Sequence, residues 1–180
     1  MKSIRPNYDR TSYILIVDDD DILLKFFKIH LNKFFSKVIV VRSAKQVTEV
    51  LKEKLIDLVI SDVYLPGANG FQIARKVRKH DPSIPILFIS GALLTPEEEE
   101  EISKSDGFLS KPFSMEELHD FIQSGLLKRK KINELLLMLS DKEELKTLFN
   151  GKMAPEKLFK SDQLKEARKL MKELKIKSAA

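Results

Sequence analysis

Five short, unbroken apolar runs along the first two thirds of the chain restrict its fold more than any other feature. They are YILIV (13–17), KVIVV (37–41), IDLVIS (56–61), IPILFIS (84–90) and GFLS (107–110). None follows the strict apolar–polar alternation of a half-exposed strand, and continuous runs of this length suit a parallel sheet covered on both faces. Between them the pattern changes to a helical period. Leu23, Phe27, Leu31 and Phe34 share one face of the first helix, and Phe71, Ala74 and Val77 one face of the third. Met115, Leu118, Phe121 and Ile122 do so on the fifth. Thr95 with Glu98 and Ser114 with Glu117 form capping boxes at two helix starts, with Pro96 in the first turn of the former. The pattern predicts (βα)₅, an α/β domain with right-handed crossovers.

The polar residues that end these runs carry the chemistry. Asp18 and Asp19 follow the first run, inside the acidic stretch DDDD (18–21). Asp62 follows the third run, Ser90 ends the fourth and Lys111 follows the fifth. In open α/β sheets, sites form at the carboxyl ends of strands, at a topological switch point. Clustered carboxylates repel one another unless a cation joins them. A hard divalent ion such as Mg²⁺ takes oxygen ligands, commonly one or two carboxylates with phosphate oxygens. A carboxylate beside it can attack phosphorus to form an acyl phosphate, with a lysine offsetting charge on the transferring group. Asp20 and Asp21 read instead as first-turn acids of the first helix, where they suit the dipole.

VDDD (17–20), SDVYLPGANG (61–70), Ser90 and KPF (111–113) occur in an order and spacing that resemble the receiver domain of two-component response regulators. The resemblance spans about residues 12–127. It implies a flavodoxin-like, doubly wound parallel sheet of strand order 2-1-3-4-5. It implies Asp62 as phosphoacceptor, charged by a sensor histidine kinase or phosphotransfer protein. Asp18 and Asp19 would be the acidic pair, with Asp19 the more direct Mg²⁺ ligand and the Tyr64 backbone carbonyl another. Ser90 and Lys111 would contact the phosphoryl group, and Phe108 matches the aromatic that turns inward as the hydroxyl closes. The chain would then be no enzyme toward other substrates, acting only in its own phosphorylation and dephosphorylation at Asp62. Three features depart from the family pattern. Five consecutive glutamates, Glu97–Glu101, leave chiefly Ile102 to anchor the fourth helix. Gly91 stands where alanine is more common, and Tyr64 is bulky enough to slow the approach of water.

A phosphatase of the haloacid-dehalogenase type is the enzyme alternative, since VDDDDI resembles its D-x-D start. Asp18 would be the nucleophile and Asp20 the acid/base, but Asp62 and KPF would have no role. His30, His80 and His119 have no ligand partner at helical spacing and read as surface residues.

Charge separates the chain into parts. Residues 1–127 carry a net −2 and residues 128–180 a net +7. The expected organisation is an N-terminal extension (1–11), a receiver domain (12–127) and a basic amphipathic helical extension (128–180). In the last, Ile132, Leu135, Leu136 and Leu139 form one stripe, and Leu164, Ala167, Met171 and Leu174 another. A Ser140–Glu143 capping box, a stop at Gly151 and a restart at Pro155 lie between. Such faces need a cover: an output protein or a second copy as partner, or the receiver itself if the helices fold back on it. A DNA-binding regulator is the alternative, though 53 residues without a helix-turn-helix pattern fit it poorly. Absence of cysteine, of an apolar leader and of a membrane-length apolar run leads to the expectation of a cytoplasmic chain with no membrane partner.

Overall fold

The computed structural model describes residues 11–138 and 163–173. These divide into two compact units. The first holds the described residues up to His80 together with Ile84–Leu126, and the second holds Asp81–Ser83 with the described residues from Leu127 onward.

The first unit is a five-stranded parallel sheet. Its strands are β1 (Tyr13–Val17), β2 (Lys37–Val41), β3 (Leu58–Asp62), β4 (Ile86–Ser90) and β5 (Gly107–Ser110). Their spatial order is β2-β1-β3-β4-β5, the doubly wound order expected from the resemblance. A short antiparallel hairpin, Tyr64–Leu65 with Ala68–Asn69, interrupts the connection after β3. Gly67 makes its turn with φ +72°, a conformation that L side chains rarely adopt.

Successive strand residues face opposite sides, so the continuous runs divide into two cores. Leu15, Val17, Val59, Ile86 and Phe88 join one core, with Val47 and Leu51 of α2 (Ala44–Glu53) and Phe71, Ile73 and Val77 of α3 (Gly70–His80). Ile14, Ile16, Leu58, Ile60, Leu87 and Ile89 join the other. There they meet Leu24, Phe27 and Leu31 of α1 (Asp21–Leu31) and Leu118 and Ile122 of α5 (Met115–Met138). The helical face of α1 is centred one residue later than periodicity suggests. Leu24 is buried where Leu23 is half-buried, and Phe35, beyond the helix end, is buried where Phe34 is half-buried. α4 (Pro96–Ser103) has no buried residue; Ile102 packs on the first core from its edge.

Both capping boxes form, with reciprocal bonds between Thr95 and Glu98 and between Ser114 and Glu117. Asp20 is the N-cap of α1, and its Oδ1 accepts from the Ile22 and Leu23 N–H groups at 2.8 and 3.1 Å. Asp20→Ala should therefore cost about 0.5–2 kcal/mol in urea unfolding, while Asp21, which pairs with Arg42 at the surface, should matter less.

In the second unit, Arg129 pairs with Asp81 (Nη2 to Oδ2 3.5 Å) and donates to the Ser83 hydroxyl. Ile132 and Leu135 of α5, and Ala167, Leu170 and Met171 of α6 (Leu164–Glu173), are buried within the chain itself. Ile132 and Leu135 of the first stripe and Ala167 and Met171 of the second are thus covered; among the described residues of this unit the exposed large apolar ones are Leu127 and Leu137. The expected N-terminal extension up to Arg10, Leu139, the Ser140–Glu143 box, Gly151, Pro155 and Leu174 lie outside the described residues.

Candidate functional site

The carboxyl ends of β1, β3 and β5 bring two acids and a lysine into contact. Lys111 Nζ lies 2.9 Å from Asp18 Oδ2 and 2.5 Å from Asp62 Oδ2. Register places these ends: Val17 lies beside Ser61, and Asp62 beside Ile89. The Lys111 N–H donates to the Ser90 carbonyl at 2.7 Å, which fixes the backbone just past β5. The Lys111–Pro112 peptide that follows is cis.

Each carboxylate is also held by backbone. Asp18 Oδ1 accepts from the Asp20 N–H at 2.9 Å, and Asp62 Oδ1 from the Tyr64 N–H at 2.8 Å. The remaining oxygen of each therefore faces Lys111. Asp18 is only 2% exposed. Burial raises its pKa, outweighing the Asp20 N–H and the Lys111 ammonium, and the Asp62 charge adds to the rise. Burial alone would lower the pKa of Lys111, but its bonds to Asp62 and Asp18 hold it above the usual lysine value.

A raised acid pKa has a defined stability sign. Folded Asp18 binds its proton more tightly than unfolded Asp18, so its contribution is fully present below the ordinary carboxylate range. That contribution is lost as pH rises through the raised value. Ionised Asp18 is thus a local cost at neutral pH. Asp18→Asn should raise the melting temperature at pH 7 and reduce the loss of stability between mildly acidic and neutral pH, as calorimetry would read.

The other expected site residues stand around this triad. Asp19 is exposed beside buried Asp18. Ser90 is buried, and its Oγ accepts from the Ala92 N–H at 3.2 Å. Phe108 is half-buried, in register with Phe88 and packed against the first core. Tyr64 is 40% exposed. Its hydroxyl donates to Glu98 Oε2 at 2.6 Å and lies 3.3 Å from the Leu93 carbonyl. The same Glu98 oxygen accepts from the Thr95 N–H, so one carboxylate both caps α4 and ties it to the segment after Asp62. The Tyr64 bond lowers the pKa of Glu98, and Glu98 raises that of Tyr64.

Two features, a close backbone approach and a histidine contact, matter more than their residue types suggest. A Cβ on Gly70 would lie 2.4 Å from the Asp62 carbonyl oxygen and 3.0 Å from the Phe88 ring. Glycine there lets α3 start directly against the backbone of the acidic strand end. His30 and His119, read as separate surface residues, meet with their Nε2 atoms 3.0 Å apart. GANG marks a turn, but sequence carries no sign of the close approach or of the histidine contact.

The donors are all oxygen, and the buried acid remains short of positive charge despite Lys111, which fits a hard cation. Among the described residues no three acidic or histidine side chains are grouped closely enough to hold a metal ion alone. Also among these residues, no helix is long and apolar enough to cross a membrane.

A family model described as the response regulator receiver domain matches residues 14–123. The transcriptional regulatory protein YrkP of Bacillus subtilis is 29% identical over 157 residues, covering 84% of this chain and 67% of that protein. The heme response regulator HssR of Staphylococcus epidermidis is 31% identical over 120 residues, 66% of this chain and 53% of that protein. The chain thus spans about half the length of HssR. Among solved structures, a response regulator receiver protein from Sinorhizobium medicae is 31% identical with TM-score 0.56, covering 67% of this chain and 95% of that one. The chemotaxis response regulator CheY4 of Vibrio cholerae is 26% identical with TM-score 0.57, covering 63% and 97%.

Proposed function

The chain belongs to the response-regulator receiver family, and on that premise we propose that Asp62 accepts a phosphoryl group from a histidine of a sensor kinase or phosphotransfer protein. The single observation that carries the reading is the convergence of Asp18 and Asp62 on Lys111 at the sheet's carboxyl edge. In the transfer, the P–N bond of the donor breaks and a P–O bond forms to Asp62. The leaving imidazole keeps the bonding electron pair and takes a proton. Lys111 passes from the Asp62 carboxylate to the phosphoryl oxygens and offsets their charge. Asp18, Asp19, Asp62 and the Tyr64 carbonyl would hold Mg²⁺, which supplies further positive charge to the phosphoryl group. The activity ends with the chain's own phosphorylation and dephosphorylation at Asp62.

Output follows from what the new charge displaces. The Ser90 hydroxyl turns from Ala92 to a phosphoryl oxygen, and Phe108 moves deeper beside Phe88. Tyr64 couples the same event to α4 through Glu98. The exposed, acidic α4 then presents a changed face to an output protein with basic surface. Incubation with Mg²⁺ and acetyl phosphate should add one phosphoryl group per chain by intact mass, and chelation of Mg²⁺ should prevent it. A chain that stays unmodified under both conditions contradicts the reading.

The YrkP match, to a protein described as a transcriptional regulator, runs beyond the family model's residues. It favours a second reading in which the basic residues 128–180 bind DNA. That reading predicts duplex affinity falling steeply with salt as counterions are released; a protein contact of the tail predicts only modest salt dependence. Fluorescence anisotropy at two salt concentrations separates them.

A further inference from the structure

His30 and His119 are 89 residues apart in sequence, yet α1 and α5 bring their Nε2 atoms to 3.0 Å. Aromatic rings frame the pair. Phe26 stacks on His30 at 6.0 Å between centroids, and Phe34 lies 5.5 Å from His30 and edge-on to His119 at 4.7 Å. Both imidazoles are half-buried. Burial lowers the pKa of each; Lys33 adds to the effect at His30, and His30 adds to it at His119 against the opposing charge of Asp120. Both shifts favour the neutral ring, the form in which imidazole nitrogens bind metals.

We propose that His30 and His119 form a two-imidazole site for a divalent transition cation of the Cu²⁺ or Ni²⁺ class, which clips α1 to α5. The 3.0 Å contact is a hydrogen bond in which one ring donates to the other; an ion of this class takes the place of the shared proton. Imidazole is a favoured ligand of these ions, and the Irving–Williams order places Cu²⁺ highest. The site is separate from the acidic strand ends in both position and donor type: nitrogen donors select against Mg²⁺, so Mg²⁺ can occupy the carboxylates while the imidazoles stay open. Two protein ligands leave the remaining positions to water.

The test is calorimetric titration of the chelator-stripped full chain with NiCl₂ at pH 7.5 in the presence of Mg²⁺. One saturable equivalent is expected. His30→Gln and His119→Gln should each weaken it at least ten-fold, and His80→Gln should leave it unchanged. Saturation with Cu²⁺ should give an electron paramagnetic resonance spectrum with coupling to two nitrogens, which reads the site in the unaltered protein. Absence of saturable Ni²⁺ binding, binding that survives both His30 and His119 substitutions, or a spectrum with a single nitrogen would overturn the proposal.

Discussion

Asp62→Asn should remove phosphoryl uptake altogether rather than slow it. The amide lacks the anionic oxygen that attacks phosphorus, and no other acid shares its position at the end of β3. Asp18 is close but buried, with one oxygen on the Asp20 N–H and the other on Lys111. The substitution is gentle to the fold. Asn keeps the shape of Asp, and its carbonyl oxygen can still accept from the Tyr64 N–H. It also removes the like charge that helps raise the Asp18 pKa, so stability at neutral pH should not fall. Intact mass after incubation with Mg²⁺ and acetyl phosphate reads the first effect, and a urea melt the second. A folded variant that still gains one phosphoryl group would show that the nucleophile lies elsewhere.

Lys111→Met should cut the rate of phosphorylation by about 10²–10³-fold, the usual effect of removing one group aimed at developing charge in a preorganised site. Methionine keeps much of the stem's length and apolar contact but not the ammonium that joins Asp18 to Asp62. Two carboxylates would then face each other without a protein cation. The Asp18 pKa should rise further, and dependence of the rate on Mg²⁺ concentration should steepen. Single-turnover mass kinetics over a Mg²⁺ series measures both. A rate within two-fold of the unaltered chain would mean that Lys111 is only a structural tie.

The strands were legible because buried parallel strands leave a simple trace, whereas their order came only from the resemblance to receiver domains. Each apolar run is continuous, since one set of residues feeds α1 and α5 and the other α2 and α3. Strand starts were less legible. Ile56 and Ile84 are buried but precede β3 and β4, because burial and ladder pairing are different demands made on similar residues. On α1, Phe27 and Leu31 are buried as expected, but Leu24 is buried in place of Leu23 for a related reason: the two are neighbours of the same type, and periodicity alone cannot rank them.

The acids show the same limit. Asp18, Asp19, Asp20 and Asp21 are identical in sequence, yet one is buried on Lys111, one is exposed, one caps α1 and one pairs with Arg42. Position relative to the strand end allowed the cleft place of Asp18 and the first-turn place of Asp21 to be anticipated, whereas Asp20, read with Asp21 as a first-turn acid, is instead the N-cap that precedes the helix. Contacts between distant elements left no local signal. Tyr64 with Glu98 and His30 with His119 depend on how α4 and α5 pack, which no short window of sequence encodes.

The central claim is that the nucleophile is the acid ending β3 and not one following β1. Reductive trapping addresses it directly. The full chain is treated with acetyl phosphate and Mg²⁺, reduced with borohydride, which converts an aspartyl phosphate to homoserine, and sequenced by tandem mass spectrometry. The account predicts homoserine at position 62 alone. Homoserine at position 18, with Asp62 unchanged, would contradict it and favour the phosphatase-type arrangement in which the first acidic run carries the nucleophile.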